Sequence, residues 1–270
     1  MVSFDSWLDS LVAIGYNQPK ARSKIAHDVV LMAMEKSGLA RHVTIKGGVV
    51  MSDITDDIRR ATMDMDVDFV RYSLSEDKID DFIGRLNCIE SVTIERMGDV
   101  VELKHRDYHG KRLFLRVVDS AGNVVRTKID IGVHTHSSIK QRVRKFKISL
   151  DGRKAKLPAN SGEQVFVEKL KSLLIFGARS NRPKDIFDMC YLCDVVNRDR
   201  FMTMLRVFVI DNPAMRENDI AGIVARLART FKSRTYMQKL RQTDVNWLEV
   251  SPKEATKRVL EFVRLFGDAR

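Results

Sequence analysis

The chain opens on helical spacing. Phe4, Trp7, Leu8, Leu11 and Val12 recur every three or four positions, which puts them on one face of a helix. A second helix is predicted over 20–35, stopped by Gly38. The period then shortens. His42-Val43-Thr44-Ile45-Lys46 is a short β-branched run that halts at Gly47-Gly48. A helix is predicted over 49–60, and a strand over 63–70, where apolar and acidic residues alternate. After a helix over 75–87 the chain reads as strands: 91–96, 100–105, 112–118 and 124–133, with turn chemistry at His109-Gly110 and Ala121-Gly122-Asn123. Residues 142–150 add a basic strand or an extended loop. From Ser161 onward the helical period returns, with helices predicted over 163–176, 183–196, 199–210, 218–231 and 252–266. Pro183 and Pro252 suit a first helical turn, where the missing N–H costs nothing.

This order makes an α+β fold. An N-terminal domain over 1–157 carries a mixed or antiparallel sheet, and an all-helical domain follows over 158–270. Internal repeats and low-complexity tracts are absent from the sequence.

Composition changes the picture mainly through charge. Hydrophobic residues at 44% and charged residues at 31% describe an ordinary globular chain. A net charge of +11 with a pI near 9.6 favours a polyanionic partner, with a merely soluble basic protein as the alternative that charge alone leaves open. Three cysteines, Cys88, Cys190 and Cys193, fit a reducing compartment rather than a disulfide framework. The first residues lack the basic flank and apolar run of a signal peptide, and no apolar stretch nears the ~20 residues that cross a bilayer. The expected location is the cytoplasm, without a membrane partner.

The most informative segment is Arg60-Ala61-Thr62-Met63-Asp64-Met65-Asp66-Val67-Asp68-Phe69. On a strand, alternate side chains share a face, so Met63, Met65, Val67 and Phe69 turn to the core and Asp64, Asp66 and Asp68 line up opposite. Carboxylates about 7 Å apart repel by roughly 2–3 kcal/mol at an effective dielectric of about 20. A solvated edge strand with an acidic outer face tolerates this by screening; a concave site needs cations. Mg²⁺ takes one or two carboxylates plus substrate phosphates, which matches the pattern. A second strand, Thr127-Lys128-Ile129-Asp130-Ile131-Gly132-Val133, isolates Asp130 opposite an apolar face. If it neighbours the first, Asp130 becomes a third ligand, and two metals can hold both sides of a phosphoryl displacement. Upstream, Gly47-Gly48 joins a strand to a helix; such a pair can be a plain turn, but placed just before the Asp-x-Asp strand it also lets a backbone approach a phosphate closely beside the helix's free N–H groups.

Lys46-Gly47-Gly48 followed by Arg60-Ala61-Thr62-Met63-Asp64-Met65-Asp66 resembles the signature of the AbiEii/AbiGii-type nucleotidyltransferase toxins, Gly-Gly-Thr-Ala and then Arg-x-Ser/Thr-x-Asp-Leu-Asp. Glu168-Lys169-Leu170 and Arg182-Pro183-Lys184-Asp185-Ile186-Phe187-Asp188 are similar to the downstream Lys and Arg/Lys-Asp-x-x-Asp helix pair of that family. The resemblance implies a DNA-polymerase-β-like core with a helical C-terminal domain. It implies metal ligands at Asp64, Asp66 and Asp130, Lys169 on the triphosphate, and Asp185 completing the site. It further implies transfer of nucleotides from an NTP with Mg²⁺ or Mn²⁺, for some members onto the 3′ end of tRNA, in toxin–antitoxin and abortive-infection modules whose antitoxin is separately encoded. Lys46, Gly47, Gly48, Arg60, Thr62 and Lys169 are the expected nucleotide-binding residues. Val49 stands where the family often has Thr, which removes a hydroxyl.

Bland alternatives accompany several of these features. Lys169 fits a solvated helix face as well as a phosphate contact, and Asp185 and Asp188 are favoured near a helix start by the dipole alone. The set Lys140, Arg142, Arg144, Lys145, Lys147, Arg153, Lys154 and Lys156, with Phe146 interleaved, is a candidate nucleic-acid track or a charged hairpin. Arg226, Arg229, Lys232, Arg234, Lys239 and Arg241 extend the same chemistry. Cys190-x-x-Cys193 sits in a helical pattern without a second pair, which reads as core packing. His134 and His136 share a strand face and read as surface residues. The functional expectation is nucleotidyl transfer to an RNA 3′ end, tRNA first. The alternatives are nucleotidylation of a protein or small molecule, a non-catalytic basic module that binds RNA or protein, and a metal-dependent nuclease.

Overall fold

The first apolar stripe forms α1 (Phe4–Ala13), which buries Phe4, Trp7, Leu8 and Leu11 and leaves Val12 exposed. Asn17 caps α2 (Gln18–Lys36) by accepting the Lys20 amide, with Pro19 in its first turn. The computed structural model describes residues 3–104, 109–134, 139–242 and 245–267. It divides into two units, Met1–Asn160 and Ser161–Arg270.

In the first unit β1 (Val43–Lys46) runs into α3 (Gly47–Thr55). The helix predicted over 49–60 ends early, because Asp56 adopts a left-handed conformation and 58–60 form a separate 3₁₀ turn. There follow β2 (Asp64–Phe69), α4 (Glu76–Leu86), β3 (Val92–Arg96), β4 (Val101–Lys104), β5 (His109–Asp119) and β6 (Val124–Val133). His109 and Gly110 belong to β5 and pair with Lys104 and Leu103, so the predicted turn there is a strand instead. The turn at 121–123 forms as its residues dictate: Gly122 has φ +88° and Asp119 accepts from the Ala121 and Asn123 amides.

The basic segment supplies β7 (Arg142–Lys147) and β8 (Lys154–Ala159). The domain boundary expected at 157/158 falls inside β8. That strand pairs parallel with β1, a long-range contact that local composition does not encode. The eight strands form one mixed sheet in the order β3-β5-β6-β2-β1-β8-β7, with β4 continuing along β5 beside β3. Met65, Val67, Phe69, Leu113, Leu115, Ile129 and Ile131 are fully buried on one face, where α2 packs on β6 and β8. Met63 lies before β2 and is 46% exposed, so it is not a core residue.

The second unit is helical: α5 (Gly162–Phe176), α6 (Asp185–Leu192), α7 (Arg198–Leu205), α8 (Ile220–Phe231), α9 (Arg234–Lys239) and α10 (Pro252–Arg264). The predicted helix over 199–210 changes to a π-turn at 206–210, and α9 is an addition to the predicted set. Phe201 lies 5.0 Å ring to ring from both Phe166 and Phe262, which ties α5, α7 and α10 into one core.

Candidate active site

Alternation along β2 sends Met65, Val67 and Phe69 inward, which leaves Asp64, Asp66 and Asp68 on the opposite face. Register then decides which side chains meet. Asp66 is the direct neighbour of Asp130 on the parallel strand β6 and of Lys46 on the antiparallel strand β1. Asp130 is in turn the neighbour of Arg112 on β5. Lys46, Asp66, Asp130 and Arg112 therefore form a row across four strands, each step about 4.8 Å. In the adjacent row Asp64 stands beside Lys128, and Lys128 beside Phe114.

The expected acids are brought together, and the chain supplies cations among them. Arg112 grips Asp130 with a two-pronged contact, Nε to Oδ1 at 2.7 Å and the second nitrogen to Oδ2 at 2.8 Å. Hydrogen bonding to Asp130 pushes the Arg112 pKa up, with further help from Asp64 and Asp66. Lys128 reaches Asp64 at 3.0 Å, and Lys46 pairs with the buried Asp68. Sequence reasoning missed Arg112, Lys128 and the Lys46–Asp68 pair. Alternation through Arg112-Leu113-Phe114-Leu115-Arg116 and the turn at 121–123 were the available signals for β5 and its pairing with β6, but they do not give the register that sets Arg112 beside Asp130.

As oriented, no three His, Cys, Asp or Glu side chains among the described residues close on one point suited to a metal ion. The donors themselves are all carboxylate oxygens on neighbouring strands, the chemistry that Mg²⁺ or Mn²⁺ takes. They fit such an ion provided that Arg112 and Lys128 release Asp130 and Asp64; those two side chains together carry the charge of one divalent ion.

The glycine turn is locked against the same acids. Gly47 has φ +64°, and a Cβ built on it falls 2.1 Å from Asp66 Oδ2. One built on Gly48 falls 2.5 Å from Thr62 Oγ1. Thr62 donates its hydroxyl to the Asp64 carbonyl at 3.3 Å, so each glycine packs against a residue of the acidic segment. Lys46 caps α3 through its backbone only, without a side-chain bond to the first amides. Arg60 is buried. Val49 is also buried, so this position faces the core.

Lys169 and Asp185 lie in the helical unit. Lys169, only 6% exposed, pairs with Asp185 and with Asp188 Oδ2 at 2.9 Å. Arg182 reaches Asp185 at 3.0 Å, and Trp247 Nε1 donates to Asp188 Oδ1 at 2.9 Å. Lys169 is thus not a solvated helix-face lysine; its ammonium offsets two carboxylates.

Among the other features, Phe146 is buried in the core and does not interleave with the basic track. Burial pushes the thiols of Cys190 and Cys193 up, away from thiolate or metal-ligand character. His134 is half-buried at the end of β6, and His136 lies outside the described residues. No helix among the described residues is long and apolar enough to cross a membrane.

No curated protein matches the chain. The family model described as "Nucleotidyl transferase AbiEii toxin, Type IV TA system" matches residues 29–247, which takes in every strand of the sheet and both acidic rows. The chain belongs to this AbiEii family of nucleotidyltransferase toxins of type IV toxin–antitoxin systems.

Proposed function

We propose that the protein transfers a nucleoside monophosphate from an NTP to the 3′ end of an RNA, tRNA being the preferred acceptor. This transfer is its toxic and abortive-infection activity, exerted in the cytoplasm and opposed by a cognate antitoxin. The observation that carries the reading is the in-register row of Lys46, Asp66, Asp130 and Arg112 beside the glycine turn.

Asp64, Asp66 and Asp130 would hold Mg²⁺ or Mn²⁺, which when bound supplies Lewis-acid stabilisation of charge on the phosphates. Gly47 and Gly48 let the backbone approach the triphosphate, and the first amides of α3 orient its oxygens. Arg112 and Lys128, turned from their carboxylates, add positive charge beside the transferred group. Lys46 keeps Asp68 neutralised, while Arg60 and Thr62 hold the segment that leads into β2. The acceptor hydroxyl oxygen bonds to the α-phosphorus, the bond to the bridging β-phosphate oxygen breaks, and pyrophosphate leaves. The hydroxyl proton passes to solvent. In the helical unit, Asp185 and Asp188 hold the Lys169 ammonium in place.

Incubation with α-labelled NTPs, Mg²⁺ and total RNA tests the reading. Labelled, lengthened RNA supports it. Label in protein or in a small product alone rejects the RNA acceptor, and shortened RNA marks a nuclease. Undiminished toxicity of Asp64→Ala would mark a non-catalytic basic module.

A further inference from the structure

The solvent-facing side of β5 and β6 continues beyond the acidic site with Phe114, Arg116 and Arg126, which that site does not use. Leu113, Leu115 and Val117 of β5 are fully buried, which turns Arg112, Phe114 and Arg116 outward. Phe114 is 40% exposed. Lone exposed apolar residues are common, but this one is bracketed by guanidinium groups on its own strand and stands beside Lys128 on the next. Further along, Arg116 and Arg126 are direct cross-strand neighbours and both are exposed. Like charges placed opposite one another weaken a sheet, and Glu95 at 3.1 Å from Arg116 offsets only part of that. An arrangement that costs the fold stability is stabilised when a polyanion lies across it.

Resting on the reading of the protein as an RNA-directed nucleotidyltransferase, we infer that this face holds the 3′-terminal strand of the acceptor RNA. A base stacks on Phe114, and Arg116 and Arg126 take backbone phosphates. Phe114 lies in the same cross-strand row as Asp64, two strands away, a separation of about 10 Å. That is the reach of about one or two nucleotides from a hydroxyl presented to the acids. Aromatic rings interleaved with cations suit single strands, since every base has a face to stack and phosphates follow at short intervals. Direction is set as well: the cations continue past Phe114, away from the acids, as the 5′ portion of the strand must.

The rival surface is the lysine square of β7 and β8, where Lys145 faces Lys156 and Lys147 faces Lys154. It carries more charge but exposes no aromatic ring. It also lies toward the opposite end of the sheet from the Asp64 row, because β8 meets β1 only at Ala159 beside Ile45.

The experiment is fluorescence anisotropy of the full chain with a labelled single-stranded oligoribonucleotide and with total tRNA, over a range of salt. Three variants are compared with the unaltered protein: Phe114→Ala, Arg116→Ala/Arg126→Ala, and Lys145→Ala/Lys156→Ala. Thermal melts confirm that each is folded. We expect Phe114→Ala to weaken binding about 5- to 100-fold, as for other base-stacking aromatics, with Phe114→Trp restoring it. The arginine pair should lower the slope of log affinity against log salt by roughly 1.4. Loss with the lysine pair alone, or affinity kept by both Phe114→Ala and the arginine pair, overturns the assignment of this face and leaves the RNA acceptor standing. Absence of RNA binding by the unaltered protein removes the RNA reading and this face with it.

Discussion

Gly47→Ala exposes the coupling between the glycine turn and the acids most sharply. Two costs arise, and they are separable. An L side chain held near φ +64° costs about 1–2 kcal/mol of stability. The new Cβ would also stand 2.1 Å from Asp66 Oδ2, so the carboxylate must retreat by more than about 1 Å to reach ordinary van der Waals contact. A misplacement of about 1 Å at a reacting centre costs on the order of 100-fold in rate. Gly98→Ala is a matched control: Gly98 has φ +68°, and a Cβ built there meets nothing within 4 Å. Both variants should lose similar stability in urea denaturation. Only Gly47→Ala should lose label transfer from NTP per folded molecule, by about two orders of magnitude. Transfer by Gly47→Ala within about twofold of Gly98→Ala would refute the idea that this turn sets the position of Asp66.

Lys169→Ala leaves Asp185 and Asp188 without their shared cation, and should destabilise the helical unit by about 3–5 kcal/mol in chemical denaturation. His27 hydrogen-bonds Thr127 at 3.0 Å inside the core, and burial, then Lys24, lowers its pKa from 6.5 to about 3. The unfolded chain therefore binds the extra proton between these values, so stability falls as pH drops from 6.5 toward 3, by at most about 1.4 kcal/mol per pH unit. His27→Gln should flatten that dependence in pH-resolved melts; an unchanged slope would assign it to other groups.

Much of the site was legible because a strand writes its faces in alternate residues. Asp64 and Asp66 separate from Met65 and Val67 by parity alone, and Asp130 separates from Ile129 and Ile131 likewise. Parity does not say which strands are neighbours. The Asp66–Asp130 register could be posed only as a condition; the turn at 121–123 put β5 beside β6, but the Arg112 fork on Asp130 depends on the exact register of that hairpin. The same limit hid β8, whose pairing with β1 joins residues far apart in the chain. Phe146 shows the converse: set among Lys and Arg it reads as part of a charged track, yet its strand turns it to the core. Lys169 was found through family likeness, while its burial between two carboxylates is a tertiary fact that helical spacing leaves open.

The central claim is that Asp64, Asp66 and Asp130 are one cation site for which Arg112 and Lys128 compete. Mn²⁺ titration followed by electron paramagnetic resonance, on the unaltered protein and on Asp66→Asn, Asp130→Asn and Arg112→Ala, tests it without any need for turnover. Binding should be lost by about 10-fold or more in each Asp→Asn variant and should tighten in Arg112→Ala, which frees both oxygens of Asp130. Mn²⁺ binding that is the same in all four proteins, or absent from the unaltered one even with NTP present, would contradict the claim.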